Sequence, residues 1–131
     1  MTDCRATCTT PASCRCARLR WAEGREAHHV AVLTQGQAVD ENLQLALDAL
    51  QLAELDWIEE RALIESSDVL DPFAVEEAGR IIAGLNDRQR RLNASRRDIA
   101  GIVARSAAWL RWLREDFMPP LLAEREEYPD A

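Results

Sequence analysis

Lysine is absent from this chain of 131 residues, and all 16 of its basic residues are arginine. The 5 glycines are scattered, so they form no phosphate-binding loop. The two histidines are adjacent, at His28 and His29, which leaves no distant base for a serine or cysteine nucleophile. No apolar run approaches the roughly 20 residues of a membrane span, and no apolar signal segment is visible. We therefore expect a cytoplasmic, non-enzymatic protein without catalytic residues, metal ligands or cofactor.

The charged residues that are present are sorted by segment. Residues 36–79 hold 12 acids against one arginine, a net charge of −11, whereas residues 80–114 hold nine arginines against two aspartates, a net charge of +7. The remainder from Glu115 is acidic again, with six acids and one arginine. Because unlike charges attract, we expect the acidic and arginine-rich stretches to lie together, within one chain or between two.

The residue composition, with 30% charged and 5% aromatic residues, favours helix over strand. Three segments are predicted: a flexible leader that contains the cysteines (1–33), a helical domain (34–118) and an acidic tail (119–131). The first helix starts near Thr34 or Asp40, where capping patterns occur. A second starts at Asp71-Pro72, with aspartate as the N-cap and proline at the first helical position. The expected fold is all-α, a small antiparallel bundle of three helices.

Apolar residues recur at alternating spacings of four and three from Ala78 to Phe117, interrupted by the polar residues Gln89, Arg96 and Ser106. Two interpretations fit this pattern. One long helix could run from Pro72 to about Met118, or two helices could be separated near Asn93-Ala94-Ser95, where asparagine and a capping-type sequence occur. We favour two helices, and we expect Pro119-Pro120 to end the last one.

Two apolar stripes run along the predicted first helix, one more than a helix on the surface of a bundle needs. The first consists of Leu43, Leu47, Leu50, Trp57 and Ile64, and the second of Leu45, Leu52, Leu55, Ile58 and Ala62. A chain this short has few other helices to cover both, so we expect a partner, and we predict a homodimer. Near the end of the last helix, Trp109 and Trp112 lie three residues apart and share a face. They could pack in the core against the first helix, or, with the neighbouring arginines, form an interface, since tryptophan and arginine are enriched at hot spots. The predicted partner or dimer interface consists of Leu43, Leu47, Leu50, Leu55, Trp57, Ile58, Trp109, Trp112, Leu113 and Phe117.

Two further clusters have alternative interpretations. The arginines form a basic patch that could meet an acidic neighbour or phosphate, and it lacks the interleaved aromatics that stack on bases. This patch consists of Arg88, Arg90, Arg91, Arg96 and Arg97. The cysteines have spacings unlike those of common zinc knuckles, so reduced thiols are expected, with metal or redox sensing as the alternatives. They are Cys4, Cys8, Cys14 and Cys16.

In size, acidity and helical character the chain resembles small bacterial antiactivators, which sequester a transcription factor by covering its dimerisation or DNA-approach surface. The resemblance implies a larger protein partner, a transcription factor, bound through the apolar stripes. The resemblance is general and includes no diagnostic sequence motif, so it assigns no functional residue to this chain. A secretion chaperone is the alternative in the same class. Nucleic-acid binding through Arg88–Arg97 is a disfavoured alternative from another class, and membrane association is not expected.

Overall fold

The computed structural model of the protein describes residues 14–69 and 71–127, with side chains as far as Ala123. All regular structure in these residues is helical, so the predicted all-α class is confirmed. Helix α1 spans Arg15–Glu65 and helix α2 spans Pro72–Trp112. A π-helical turn at Leu113–Phe117 leads into a short helix α3, Met118–Glu127. The described residues thus contain two long helices, and the predicted three-helix bundle is not confirmed.

Helix α1 begins about 20 residues earlier than the sequence patterns indicated. Cys14 acts as its N-cap, because the Cys14 sulfur accepts the backbone N–H of Ala17 at 3.3 Å. The prediction of a flexible leader is therefore wrong from Arg15 onward, while residues 1–13 lie outside the described residues. Neither predicted start is a helix end. Thr34 donates its hydroxyl to the carbonyl of Val30 at 3.0 Å, and Asp40 pairs with Arg96.

The start of α2 agrees with the prediction. Asp71 Oδ1 accepts the backbone N–H of Ala74 at 3.1 Å, and Pro72 takes the first helical position, where its missing N–H costs no hydrogen bond. The predicted break at Asn93-Ala94-Ser95 is wrong, because α2 continues through these residues to Trp112. Asn93 and Ser95 are exposed there, and Ala94 is half-buried. The heptad spacing of the apolar residues prevails over the weak local capping pattern.

The prediction that Pro119-Pro120 ends the last helix is also wrong. Both prolines lie in the first turn of α3, where a helix needs no backbone N–H from them. The preceding π turn closes with a hydrogen bond from the Met118 N–H to the Leu113 carbonyl, five residues back. The wider turn lets the helical path continue into a segment that cannot donate the usual bonds. Residues 119–127 of the predicted acidic tail are therefore helical.

The described residues form two compact units, to which α1 and α2 both contribute. The central unit is Gln37–Ala100, and the terminal unit comprises the described residues up to Gly36 and from Gly101 onward. In the central unit the helices run antiparallel, with Leu47 and Ala78 as its buried apolar residues. Asp40 of α1 meets Arg96 of α2, and Glu54 accepts a hydrogen bond from Gln89. These boundaries differ from the predicted ones at residues 33 and 118.

In the terminal unit the helices are again antiparallel. Its core combines apolar residues of the first turns of α1 with the π turn and α3, as listed here: Leu19, Ala22, Leu113, Met118 and Leu121, with Phe117 packed against them. Arg114 pairs with Glu26 at 2.7 Å, at the edge of this core. Leu19, Ala22 and Leu121, from the segments expected to form a leader and a tail, are therefore core residues of the described chain.

Within the described residues, no helix combines the length and the apolar character that crossing a bilayer requires.

Candidate functional site

The central unit exposes a row of large aliphatic side chains on α1, called here the outer stripe. It consists of Leu45, Leu52, Leu55 and Ile58, which are between 44% and 67% exposed. Their spacings of seven, three and three residues place them along one side of the helix. Leu47, only two residues from Leu45, is 2% exposed. The two stripes of the sequence are therefore physically different, since one closes the seam between α1 and α2 and the other meets solvent.

Acidic residues alternate with the outer stripe along the same side of α1. Each lies three, four or seven residues from a stripe residue, and all are exposed: Glu41, Asp48, Asp56 and Glu59. Gln44 donates to Asp48 at 2.8 Å and Gln37 donates to Glu41 at 3.2 Å, so these two carboxylates have neutral partners. The stripe is consequently an apolar strip beside carboxylates that form no ion pair within the described residues, although Arg96 attracts Asp48.

The arginines of the predicted basic patch divide into two sets. Arg96 is half-buried in the seam, where its Nε donates to Asp40 at 2.8 Å and its Nη1 bonds Gln44. This guanidinium holds the pKa of Asp40 below its usual range, mainly through the hydrogen bond. The other four are exposed on α2: Arg88, Arg90, Arg91 and Arg97. Arg90 and Arg91 pair with Asp87 on their own helix. Within the described residues, Arg96 is therefore the one arginine of the patch that pairs with α1.

A second exposed apolar surface lies on α2 in the terminal unit. It consists of Ile102, Trp109 and Trp112, spaced by seven and three residues and between 37% and 53% exposed. The rings of Trp109 and Trp112 meet edge to face, with centroids 5.5 Å apart. Trp112 also contacts Phe117 at 5.0 Å, and Phe117 meets Trp21 of α1 at 5.4 Å. This terminal surface is therefore anchored to the core by a chain of aromatic contacts.

A buried polar pair lies beside the terminal surface. A hydrogen bond of 3.1 Å joins Nδ1 of His29 to Oγ of Ser106, and both residues are buried. Burial lowers the pKa of His29, and the nearby positive charges of Arg25 and His28 lower it further. An open cleft of about 290 Å³ borders the pair, lined by Trp21, Arg25, His29, Trp109 and Leu113. His29 is thus a neutral structural residue at ordinary pH.

The ten predicted interface residues fall on both sides of the helices. Leu55, Ile58, Trp109 and Trp112 are exposed, whereas Leu47 and Leu113 are buried. Leu43, Leu50, Trp57 and Phe117 are half-buried. Leu45 and Leu52 belong to the exposed surface although the prediction omitted them from the interface. Their membership in the second stripe was the signal that could have identified them.

The cysteines do not gather into a metal site in the part of the chain that the structure describes. Within that part, no group of three or more histidine, cysteine or acidic side chains could hold a metal ion. Cys14 caps α1 and Cys16 is disulfide-bonded, which differs from the expectation of reduced thiols. Cys4 and Cys8 lie outside the described residues.

Comparison of the chain with known protein families, with curated proteins and with solved structures finds no match in any of the three. Its function is therefore argued from its own geometry.

Proposed function

We propose that the protein is a non-enzymatic regulator that binds a larger protein partner through the outer stripe. The observation that carries the proposal is the exposure of Leu45, Leu52, Leu55 and Ile58 in one row, beside a seam that is already closed. Contiguous exposed apolar surface of this kind marks interaction sites, because leaving it in water is costly. The row extends along one helix and turns partly around it, which suits a partner that presents an elongated surface.

Sequestration of a bacterial transcription factor is the specific form that we propose. An antiactivator needs an exposed surface that competes with the target's own self-association, and the outer stripe supplies one. A secretion chaperone would use the same surface, and the identity of the partner distinguishes the two functions. The proposed location is the cytoplasm. Fractionation of the host cells is the deciding measurement.

The proposal is tested by capture from the host lysate after nuclease treatment, followed by mass spectrometry. The bait is compared with a stripe variant, Leu52→Gln/Leu55→Gln, and with a matched control, Val30→Gln/Leu122→Gln, which changes two exposed apolar residues of the terminal unit. We expect one protein near equal stoichiometry with wild type and control, and at least about tenfold less with the stripe variant. Retention of that protein by the stripe variant would exclude the outer stripe as the site.

We also propose that the chain forms a homodimer, through the terminal surface of Ile102, Trp109 and Trp112. A two-fold dimer uses the same patch on both copies, and a row of aromatic and aliphatic side chains is self-complementary. Arg105 is exposed three residues after Ile102 and four before Trp109, where it would edge such an interface.

Nucleic-acid binding is the second candidate function, favoured by the four exposed arginines of the basic patch. Arg88 and Arg97 form no ion pair with any residue that the structure describes, so they could meet phosphate. Such binding would weaken steeply with salt, whereas apolar binding through the outer stripe would not. Loss of all captured material after nuclease treatment would favour this candidate over the first.

A further inference from the structure

The charge beside the outer stripe specifies what kind of partner fits it. Glu41 lies four residues before Leu45, and Asp48 lies three residues after it. Asp56 lies four residues after Leu52, and Glu59 lies four residues after Leu55. Residues at these spacings are neighbours on a helix surface. An occupant of the stripe therefore meets leucine and carboxylate together over about four turns of helix, roughly 20 Å.

The protein balances these carboxylates only in part. None of the four forms an ion pair with a basic residue of the described chain, and Arg96 attracts Asp48 from a longer distance. In the central unit, Arg61 pairs with Glu65, Arg80 with Glu77, and Arg96 with Asp40. The exposed arginines of α2 are held at Asp87 or extend into solvent. Negative charge at the stripe is thus left for a partner to balance.

We propose that the outer stripe binds one amphipathic helix of a different protein, with lysine or arginine flanking its apolar face. This inference rests on the proposed function and adds the chemistry of the partner. The apolar anchors would contact Leu45, Leu52 and Leu55, as in other complexes where a helix occupies a groove. The flanking cations would pair with Asp48, Asp56 and Glu59, and these pairs would set the orientation of the bound helix, speed its association and so raise its affinity.

A second copy of the chain fits this surface poorly. Two outer stripes packed together would bring carboxylates of both copies side by side, and like charges across an interface are unfavourable. A second copy offers a face that combines arginine with apolar side chains in its terminal surface, where Arg105 lies near Ile102 and Trp109, but the proposed dimer already uses that face.

The test is a selection from displayed helical peptides of about 18 residues, with leucine at fixed heptad positions. Lysine, arginine, glutamate, glutamine and alanine are allowed equally at the other positions. The full chain serves as bait in three forms. They are the wild type, a neutralised variant (Asp48→Asn/Asp56→Asn/Glu59→Gln) and a control of equal net charge (Glu23→Gln/Asp98→Asn/Glu115→Gln), whose three changed residues are also exposed and lie off the stripe.

We expect peptides selected on wild type and control to be enriched in lysine and arginine. Their affinity should fall about tenfold on the neutralised variant, and by a similar factor near 1 M salt, where the screening length is about 3 Å. Enrichment of acidic or uncharged peptides, equal affinity for the neutralised variant, or no enrichment at all would overturn the inference. A wild-type dimer that Leu52→Gln/Leu55→Gln converts to monomer would also overturn it, since a second copy would then cover the stripe.

Capture from lysate separates this inference from the proposed function. If the stripe variant loses the cellular partner and the neutralised variant keeps it with unchanged affinity, the stripe is a binding site. The proposed preference for a basic helix is then wrong. If the stripe variant keeps the partner, both ideas fail.

Discussion

Leu47 and Leu45 are two residues apart on α1, and alanine substitutions at these positions should have very different effects on stability. Leu47 is 2% exposed and Leu45 is 67% exposed. The three carbons that the change removes are worth ~2.4 kcal/mol when fully buried, at ~0.8 kcal/mol per carbon group. A cavity term adds to this, and the open seam between two helices allows some collapse, so we expect Leu47→Ala to cost about 2–3 kcal/mol.

The same change at Leu45 removes surface that is only about one-third buried, which corresponds to at most ~0.8 kcal/mol. Alanine also has the higher helix propensity, which reduces the loss further. Urea unfolding followed by far-UV circular dichroism, at two protein concentrations, measures both free energies of unfolding. Equal costs for the two variants would refute the distinction between seam and outer stripe. A Leu45→Ala cost that grows with concentration would show that another copy of the chain covers the stripe.

Three other outcomes follow from described residues. A Cβ added at Gly24 or Gly84 meets nothing within 4 Å, so alanine at each should raise the free energy of unfolding by up to about 1 kcal/mol, measured in urea; a loss at Gly24 would contradict its place in a regular helix. Light scattering at micromolar concentration should give a dimer mass for wild type and a monomer for Trp109→Glu with unchanged circular dichroism, whereas a wild-type monomer would refute the dimer. Because the folded pKa of His29 lies below its ordinary value of 6.5, its contribution to stability is complete above pH 6.5 and is lost as pH falls towards the folded pKa. The melting temperature should therefore fall as the pH falls below 6.5, and His29→Gln should reduce this fall. An equal fall in wild type and variant would refute the assignment of the effect to His29.

The heptad spacing of α2 could be predicted from sequence because its apolar residues are frequent. Gln89, Arg96 and Ser106 were recognised as interruptions of that spacing. The structure shows what they are for, since each meets a polar residue of α1: Glu54, Asp40 and His29, respectively. A single sequence does not show which polar residues will face one another, because that depends on the register of two helices.

The early turns of α1 were missed for a related reason. The same spacing of four and three continues backward from Leu43 through Asp40, Gly36 and Leu33 to His29, but polar and glycine residues occupy many of these positions. Hydrophobic periodicity is weak where a seam is polar. The core partners of Leu19 and Ala22 also lie about 90 residues further along, in the π turn and α3. Tertiary contacts of this kind determine a helix without leaving a local pattern.

The site was predictable to the extent that it depends on helical spacing. The two stripes of the first helix are visible in the sequence, and the structure separates them into a buried and an exposed row. Which row faces solvent depends on where α2 packs, and composition does not contain that information. Pro119 and Pro120 misled the prediction because a proline pair ends a helix in most contexts but is harmless in a first turn.

The pairing of Arg96 with Asp40 has a consequence for how the two helices of the central unit find each other. Sliding one helix along the other by seven residues would keep leucines in the seam, so apolar contacts alone would tolerate the error. In one direction, such a slide would place the Arg96 guanidinium beside Leu47 and leave Asp40 without its cation. An unpaired charge in a half-buried seam is strongly unfavourable, whereas the native pair itself adds little. The ion pair therefore disfavours misaligned hairpins during folding more than it stabilises the native alignment of the two helices.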